Sequence, residues 1–367
     1  MSMSDNLVEK AKHFNFDGTV SKIEPFGNGH INDTYRVFVE EKNLPDYILQ
    51  RKNHEIFKDI PGMMENIIRV TEHIRKKLEK QGMRDVDKRV ITHIQTPKGN
   101  YFYQDSDGNY WTVFLLIPGS HSVENIEKPE HAYLAGKGFG RFQKQLEDLP
   151  GKPLNETIVD FHNIEFRYRN FTKALKINYQ NRKDICKKEI DFALEKEEEM
   201  HTLIRVEKKG EIPKRITHND TKINNILFDK FGQILCVIDL DTVMPGLVHF
   251  DFGDAIRTAA STAEEDETDL SKITINIEIF EAFAKGFLED TGSFLSDKEI
   301  SLLPHAAKFM TFIMGLRFLT DYLEGDVYYK TNHPEHNIER ARAQFRLVKE
   351  IEKKEQEMGE IIQRLVN

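Results

Sequence analysis

Asp220, Asn225 and Asp239 place a carboxylate, a carboxamide five positions later, and a second carboxylate nineteen positions after the first. They stand in His218-Asn219-Asp220-Thr221-Lys222-Ile223-Asn224-Asn225 and in Val237-Ile238-Asp239-Leu240-Asp241. Moving a phosphoryl group between oxygens needs a base to orient the incoming hydroxyl and magnesium to offset charge on the β- and γ-phosphates. Asp220 suits the base. Asn225 and Asp239 suit the ion, which takes hard oxygen ligands and usually combines one or two carboxylates with phosphates and waters.

Ile234 to Ile238 is a continuous apolar run of the buried kind, extended by Asp239 and, two positions on, Asp241. If the strand stays extended, the two carboxylates share a face about 6.6 Å apart. At an effective dielectric near 20 they repel by about 2.5 kcal/mol, so a positive partner is expected, and a divalent ion is the simplest one. The competing reading has Asp239 capping a turn and Asp241 facing solvent or a lysine.

The string HNDTKINN resembles the H-R-D-x-x-x-x-N catalytic loop of the protein-kinase-like superfamily. Its VIDLD continuation is similar to the aminoglycoside and choline phosphotransferase branch. The resemblance covers nearly the whole chain and implies an α+β, bilobal protein-kinase-like fold. A small antiparallel-sheet N-lobe with one main helix (1–118) would bind nucleotide. A large, mainly helical C-lobe (119–367) would hold catalysis and substrate. Together with GNGHIND, YILQRKNHEIF, DLDTVMPG and the stretch Gly315 to Tyr329, the motifs resemble those of the N-acetylhexosamine 1-kinases. That likeness implies transfer from ATP, with Mg2+, to the anomeric hydroxyl of N-acetylglucosamine or N-acetylgalactosamine. On it, Asp220 is the base, Asn225 and Asp239 hold magnesium, and Thr242, Arg317 and Tyr328 join Asp220 in the sugar pocket. Asp220-x-Lys222 resembles the catalytic loop of serine/threonine protein kinases, which implies that Lys222 faces the transferred phosphoryl group; a plain surface role is the competing reading.

Asp251-Phe252-Gly253 spells the metal-binding triplet of protein kinases but lies thirty-one residues after Asp220, beyond a Pro-Gly loop. Asp251 and Asp254 are expected instead to support the catalytic loop by hydrogen bonds. On the nucleotide side, Gly27 and Gly29 would let backbone amides approach phosphates and His30 would add a donor, although Asn32 replaces the third glycine of G-x-G-x-x-G. The strand lysine has no clear counterpart: either Gln50 occupies its position or Arg51 supplies the charge, with Glu65 as candidate acidic partner. Adenine would be expected between the lobes, hydrogen-bonded to the backbone of Leu115 to Ile117, contacts that do not separate ATP from GTP. Arg317 and Asp321, four apart on a helix, share a face, so a plain intrahelical ion pair competes with a substrate role.

These residues need elements to position them. Thr19 to Phe26, Thr34 to Glu40 and Tyr47 to Arg51 read as strands, Pro61 opens a helix that stops near Gly82, and Val90 to Gln95, Tyr101 to Gln104 and Tyr110 to Ile117 resume the sheet. Helices are expected over 129–148, 165–180, 184–208, 272–290, 297–324 and 335–365. A hairpin, Ile226 to Phe228 and Gln233 to Ile238, returns the chain from base to metal ligand through Asp229-Lys230-Phe231-Gly232.

Composition fits a cytoplasmic enzyme. The net charge of −9 over 367 residues disfavours nucleic acid and anionic membranes. Two cysteines make no disulfide framework, and Met1 to Phe16 lacks the apolar core of a signal peptide. The apolar stripe of the last helix is expected to pack on the large lobe, which predicts a monomer whose partners are a sugar and a nucleotide. Two alternatives remain: a kinase of another small alcohol (choline, an amino alcohol, another sugar, an aminoglycoside), or a catalytically silent kinase-like binding module, which the missing strand lysine favours.

Overall fold

The computed structural model describes residues 3–27 and 31–367. In chain order come α1 (Met3–Ala11), β1 (Val20–Pro25), β2 (Asp33–Val39), β3 (Tyr47–Lys52), α2 (Ile60–Lys80), β4 (His93–Ile94), β5 (Tyr103–Gln104) and β6 (Tyr110–Leu115). There follow α3 (Pro129–Leu146), α4 (Ile164–Ile177), α5 (Lys187–Glu195), α6 (Glu197–Met200), α7 (Thr202–Lys208), β7 (Arg215–Thr217), β8 (Ile226–Phe228) and β9 (Ile234–Val237). The last elements are β10 (Met244–Gly246), α8 (Val248–Ala259), α9 (Ile277–Thr291), α10 (Asp297–Ser301), α11 (Leu303–Glu324) and α12 (His336–Val366). An antiparallel-sheet part thus precedes a mainly helical part, the α+β kinase-like arrangement. No described helix is long and apolar enough to cross a membrane.

The chain forms two compact units. The first comprises Met1–Val123, Gln145–Val159 and Asn225–Pro245; the second comprises Glu124–Lys144, Asp160–Asn224 and Gly246–Asn367. After the boundary expected between residues 118 and 119 the chain therefore returns twice to the first unit. The β8–β9 hairpin returns because its apolar side chains Leu227, Leu235, Cys236 and Ile238 pack with Ile117. Phe228 also exchanges backbone hydrogen bonds with His121, at 2.8 and 3.0 Å.

In the first unit the antiparallel sheet runs β1-β2-β3-β6-β4, with β5 also on β6. Strand β3 is central and buried on both faces. Tyr47 and Leu49 join the core formed with Leu7, Phe14, Val37 and Trp111, whereas Ile48, Gln50 and Lys52 point to the opposite face by the two-residue period. Helix α1 was not foreseen; its signal was Leu7, Ala11 and Phe14 at helical spacing, all buried.

In the second unit α11 is apolar nearly all round, as a helix buried on every side must be. Phe309, Phe312, Leu316 and Leu319 of α11 share one core with Tyr168 and Phe171 of α4 and Ile338 and Val348 of α12. The helix expected over 297–324 breaks at Leu302 because Pro304 cannot continue the preceding turn, and the one expected over 184–208 divides into α5, α6 and α7. Helix α8 was also missed, although Val248, Phe252, Ala255 and Ile256 carry its apolar period. Where α8 meets α11, Gly253 is required: an added Cβ would lie 2.2 Å from the Ala306 carbonyl oxygen.

Gly253→Ala should therefore lower stability by about 2 kcal/mol through overpacking, read as a lower urea midpoint; an unchanged midpoint would mean that the helices part freely. A pH effect follows from buried histidines. Burial first, and neighbouring cations second in three of the four, push His93 and His162 down to about 3 and His249 and His305 down to about 4, from 6.5. The unfolded chain takes up these protons near pH 6.5 and the folded chain does not, so stability is complete above 6.5 and falls as the pH drops toward 4. The melting temperature should decline steadily from pH 7 to 4.5, and less steeply in His249→Gln; identical slopes would remove His249 from the account.

Candidate active site

The catalytic loop lies in the second unit and follows β7. Its backbone amides are buried, and buried amides need partners. Helix α8 supplies them through two carboxylates. Asp251 accepts from His218 N at 2.9 Å, from Asn219 N at 2.8 Å and from the Gln143 carboxamide at 2.5 Å. Asp254 accepts from Thr221 N at 3.1 Å, while the Thr221 hydroxyl donates to the Asp251 carbonyl at 2.6 Å. Asp251 and Asp254 thus hold the loop, as read from the spacing. Burial raises the Asp251 carboxyl above its ordinary range, against the pull of His218 and the amide donors. Burial alone would raise Asp254 too, but Arg257 at 2.9 Å and the Lys222 charge bring it below the ordinary value.

Local backbone shape finishes the loop. Asn219 adopts φ +66°, a left-handed conformation that asparagine tolerates better than most residues. Gly246 allows the close approach of that segment, since a Cβ there would sit 2.3 Å from Thr217 Oγ1. The His218 ring stands edge-on to Phe139 and Phe142, each at 5.7 Å. Asp220, half-buried, has its backbone N–H on His218 Nδ1 at 3.3 Å. Lys222 Nζ lies 4.0 Å from an Asp220 carboxylate oxygen, and that carboxylate, more than any other group, holds the lysine above its ordinary range.

The other two predicted residues, Asn225 and Asp239, stand in the first unit. Ile226 pairs with Val237, and Ile238 N donates to the Asn225 carbonyl at 2.9 Å, so antiparallel pairing brings Asn225 and Asp239 to the same end of the hairpin. A carboxamide and a carboxylate oxygen on one short, well-paired hairpin fit the hard-oxygen donor set of magnesium.

The strand does not stay extended as expected. Strand β9 ends at Val237, Asp239 takes φ +59°, and Leu240–Thr242 form a single 3-10 turn. Asp241 therefore leaves the face it would have shared with Asp239. Its positive neighbour is a lysine: Lys52 Nζ donates to the two Asp241 carboxylate oxygens at 2.7 and 2.9 Å, with both side chains buried. Lys52, one residue past the stretch considered for the strand cation, is the buried cation of β3. Alternation from Gln50 was the signal that could have found it. Gln50 accepts from Lys52 at 2.6 Å and donates to Thr34 at 3.1 Å, while Arg51 points the other way, half-exposed, and pairs with Asp33. Glu65 does not reach this cluster; it pairs with Lys152 at 2.9 Å.

Gly27 has φ +76° in an exposed turn, whereas Gly29 and His30 lie outside the described residues. The Leu115 amide is committed to the Thr92 carbonyl at 2.9 Å, and the Ile117 carbonyl accepts from the Ser120 hydroxyl at 2.8 Å. Thr242 is buried in the turn after Asp239.

Arg317 and Tyr328 come together in the second unit. The intrahelical pair with Asp321 does not form, because Asp321 is used as a cap. It accepts from the backbone amides of Val327, Tyr328 and Tyr329 at 2.8 to 3.0 Å and from Asn337 at 2.8 Å. This fixes the two tyrosines beside Arg317, whose guanidinium lies 5.3, 5.9 and 5.5 Å from the rings of Phe161, Tyr328 and Tyr329. Arg167 is close enough that burial and the Arg317 charge lower it to about 10. The Tyr329 hydroxyl is buried without a hydrogen-bond partner.

A model of the phosphotransferase enzyme family (APH) matches residues 22–286, and the chain belongs to that family; it is a small-molecule kinase. Among solved structures, a spectinomycin phosphotransferase matches with a TM-score of 0.59 at 14% identity, covering 97% of this chain and 99% of that one. An amicoumacin kinase matches with 0.60 at 14% identity, covering 96% and 94%. Choline kinase from Cryptosporidium parvum matches with 0.55 at 13% identity, covering 94% and 93%. At such identities these likenesses establish the fold.

Asp251→Asn leaves fewer acceptors than the three donors facing it. It should cost about 2–3 kcal/mol and reduce turnover at least tenfold by loosening the loop; a variant with wild-type stability and rate would show that the loop holds itself.

Proposed function

We propose that this kinase transfers the terminal phosphoryl group of ATP to the anomeric hydroxyl of an N-acetylhexosamine, giving the sugar 1-phosphate. Asp220 orients that hydroxyl and takes its proton, with Lys222 nearby facing the transferred group. Asn225 and Asp239 would hold magnesium, which when bound offsets the charge of the nucleotide phosphates. The precedent for the nucleotide is the ADP of the spectinomycin phosphotransferase structure and the AMP-PNP of the amicoumacin kinase structure.

The observation that carries the acceptor reading is the company Arg317 keeps. Neither Arg317 nor Arg167 has a carboxylate partner among the described residues, and both are half-buried. The Asp160 charge acts on Arg167 but is outweighed by Arg317, so two guanidinium groups in no direct ion pair disfavour a cationic acceptor such as choline, an amino alcohol or an aminoglycoside. An uncharged ring rich in oxygen acceptors suits them, and Tyr328 and Tyr329 offer the flat, polar-tipped surfaces on which a sugar can lie. The reading as a silent binding module loses its main support, because β3 does carry a buried lysine.

Incubation with ATP, magnesium and a panel of sugars, choline, ethanolamine and aminoglycosides, with the phosphate located by NMR, tests the acceptor. N-acetylhexosamine 1-phosphates should form fastest; efficient transfer to a cationic alcohol with none to the sugars would reverse the conclusion. Asp220→Asn should retain nucleotide binding and lose roughly a hundred- to ten-thousand-fold in turnover, and near-normal rates would remove Asp220 as the base.

A further inference from the structure

Lys52 and Asp241 are 3% and 4% exposed. The three ammonium protons of Lys52 meet three acceptors: Asp241 Oδ1 at 2.7 Å, Asp241 Oδ2 at 2.9 Å and Gln50 Oε1 at 2.6 Å. Asp241 Oδ2 also accepts from Asn32 Nδ2 at 2.7 Å, and Asn32 Oδ1 accepts from the backbone of Asn53, the residue after Lys52, at 3.0 Å. A closed circuit in the first unit thus joins the end of β3, the turn after β9 and the residue that leads into β2.

An acidic partner for a strand lysine was expected on α2, yet none of its carboxylates is available. Among its buried side chains are Met63, Met64, Asn66, Ile67 and Val70, and Glu65, Glu72 and Glu79 are not. Where α2 meets the turn after β9, it offers the Asn66 carboxamide to the Val243 carbonyl at 2.9 Å.

We propose that Asp241 is the positioning residue of Lys52, replacing the missing helix carboxylate, and that Asn32 ties the pair to the loop ahead of β2. This rests on the nucleotide-dependent reading above. A buried charge is costly unless it is paired; Asp241 supplies the counter-charge and, through both carboxylate oxygens, fixes the direction of the ammonium. Gln50, the neutral acceptor, is the one a phosphate oxygen can displace while the carboxylate contacts persist. Asp241 thereby differs from Asp239: it acts on the nucleotide through Lys52 and not through a metal.

Calorimetric titration with a non-hydrolysable ATP analogue, with magnesium and with EDTA, tests this. Asp241→Asn and Lys52→Met should each weaken binding about tenfold in both conditions, and the double variant should be no weaker than Lys52→Met alone, because the two act as one unit. In turnover the loss should fall on the nucleotide KM and leave the acceptor KM unchanged. Wild-type affinity in Asp241→Asn, a loss seen only with magnesium, or losses that multiply in the double variant would each overturn the assignment. Should Asp241→Asn fail to fold, Asn32→Ala decides. It removes the bond to the carboxylate and the one from the Asn53 amide and leaves the ion pair, so it should weaken binding about threefold with a folded protein of slightly lower melting temperature; unaltered affinity would overturn the proposal. Failure of the wild-type protein to bind in either condition would remove the nucleotide reading itself.

Discussion

The amides of residues 218, 219 and 221 are buried in a stretch with no regular secondary structure, and α8 is the element that satisfies them. Much else follows from this requirement. Two carboxylates one helical turn apart must be held under the loop, so α8 must pack tightly against α11, and Gly253 permits that contact. Asp254 must stay ionised while buried, which Arg257 secures. The string Asp-Phe-Gly belongs to this scaffold, and its phenylalanine lies against Phe280, Phe283 and Phe287 of α9. The spacing of Asp220 from its neighbours in sequence is useful chemistry only because the loop is fixed: positioning catalysis tolerates little slack.

The first unit solves a different problem, that of burying charge. The left-handed residue Asp239 and the short turn after it separate two carboxylates that an extended strand would have set side by side. One is then matched by the β3 lysine and the other stays at the hairpin end beside Asn225. A buried pair of this kind is weak as a stabiliser, since desolvation offsets the attraction. Its value lies in direction: an ammonium with three fixed acceptors can point one way only.

Among the described residues Arg317 has no carboxylate in direct contact. Asp321, the obvious candidate by helical spacing, is fully occupied in turning the chain after α11. The same carboxylate that could have neutralised the arginine builds the aromatic wall beside it.

The periodicities of β1, β2, β3, α2, α11 and α12 were legible, because each buries one face or all of its surface and the pattern is local. Asp220, Asn225 and Asp239 stood out by their spacing as candidates, and the hydrogen-bonded support of the loop by Asp251 and Asp254 was legible too. Helix α8 was hidden behind a familiar triplet, and α1 behind its polar residues. The pairing of Lys52 with Asp241 and the freedom of Arg317 from Asp321 lay beyond the sequence for a common reason. Which carboxylate meets which cation is decided by backbone turns at Asp239 and after Glu324, and a buried charge takes its partner from whatever the tertiary fold brings within 3 Å, over separations such as the 189 residues between Lys52 and Asp241. The sequence by itself determined most of the elements, α1 and α8 excepted, and the candidate base; the tertiary structure decided how the charges are paired.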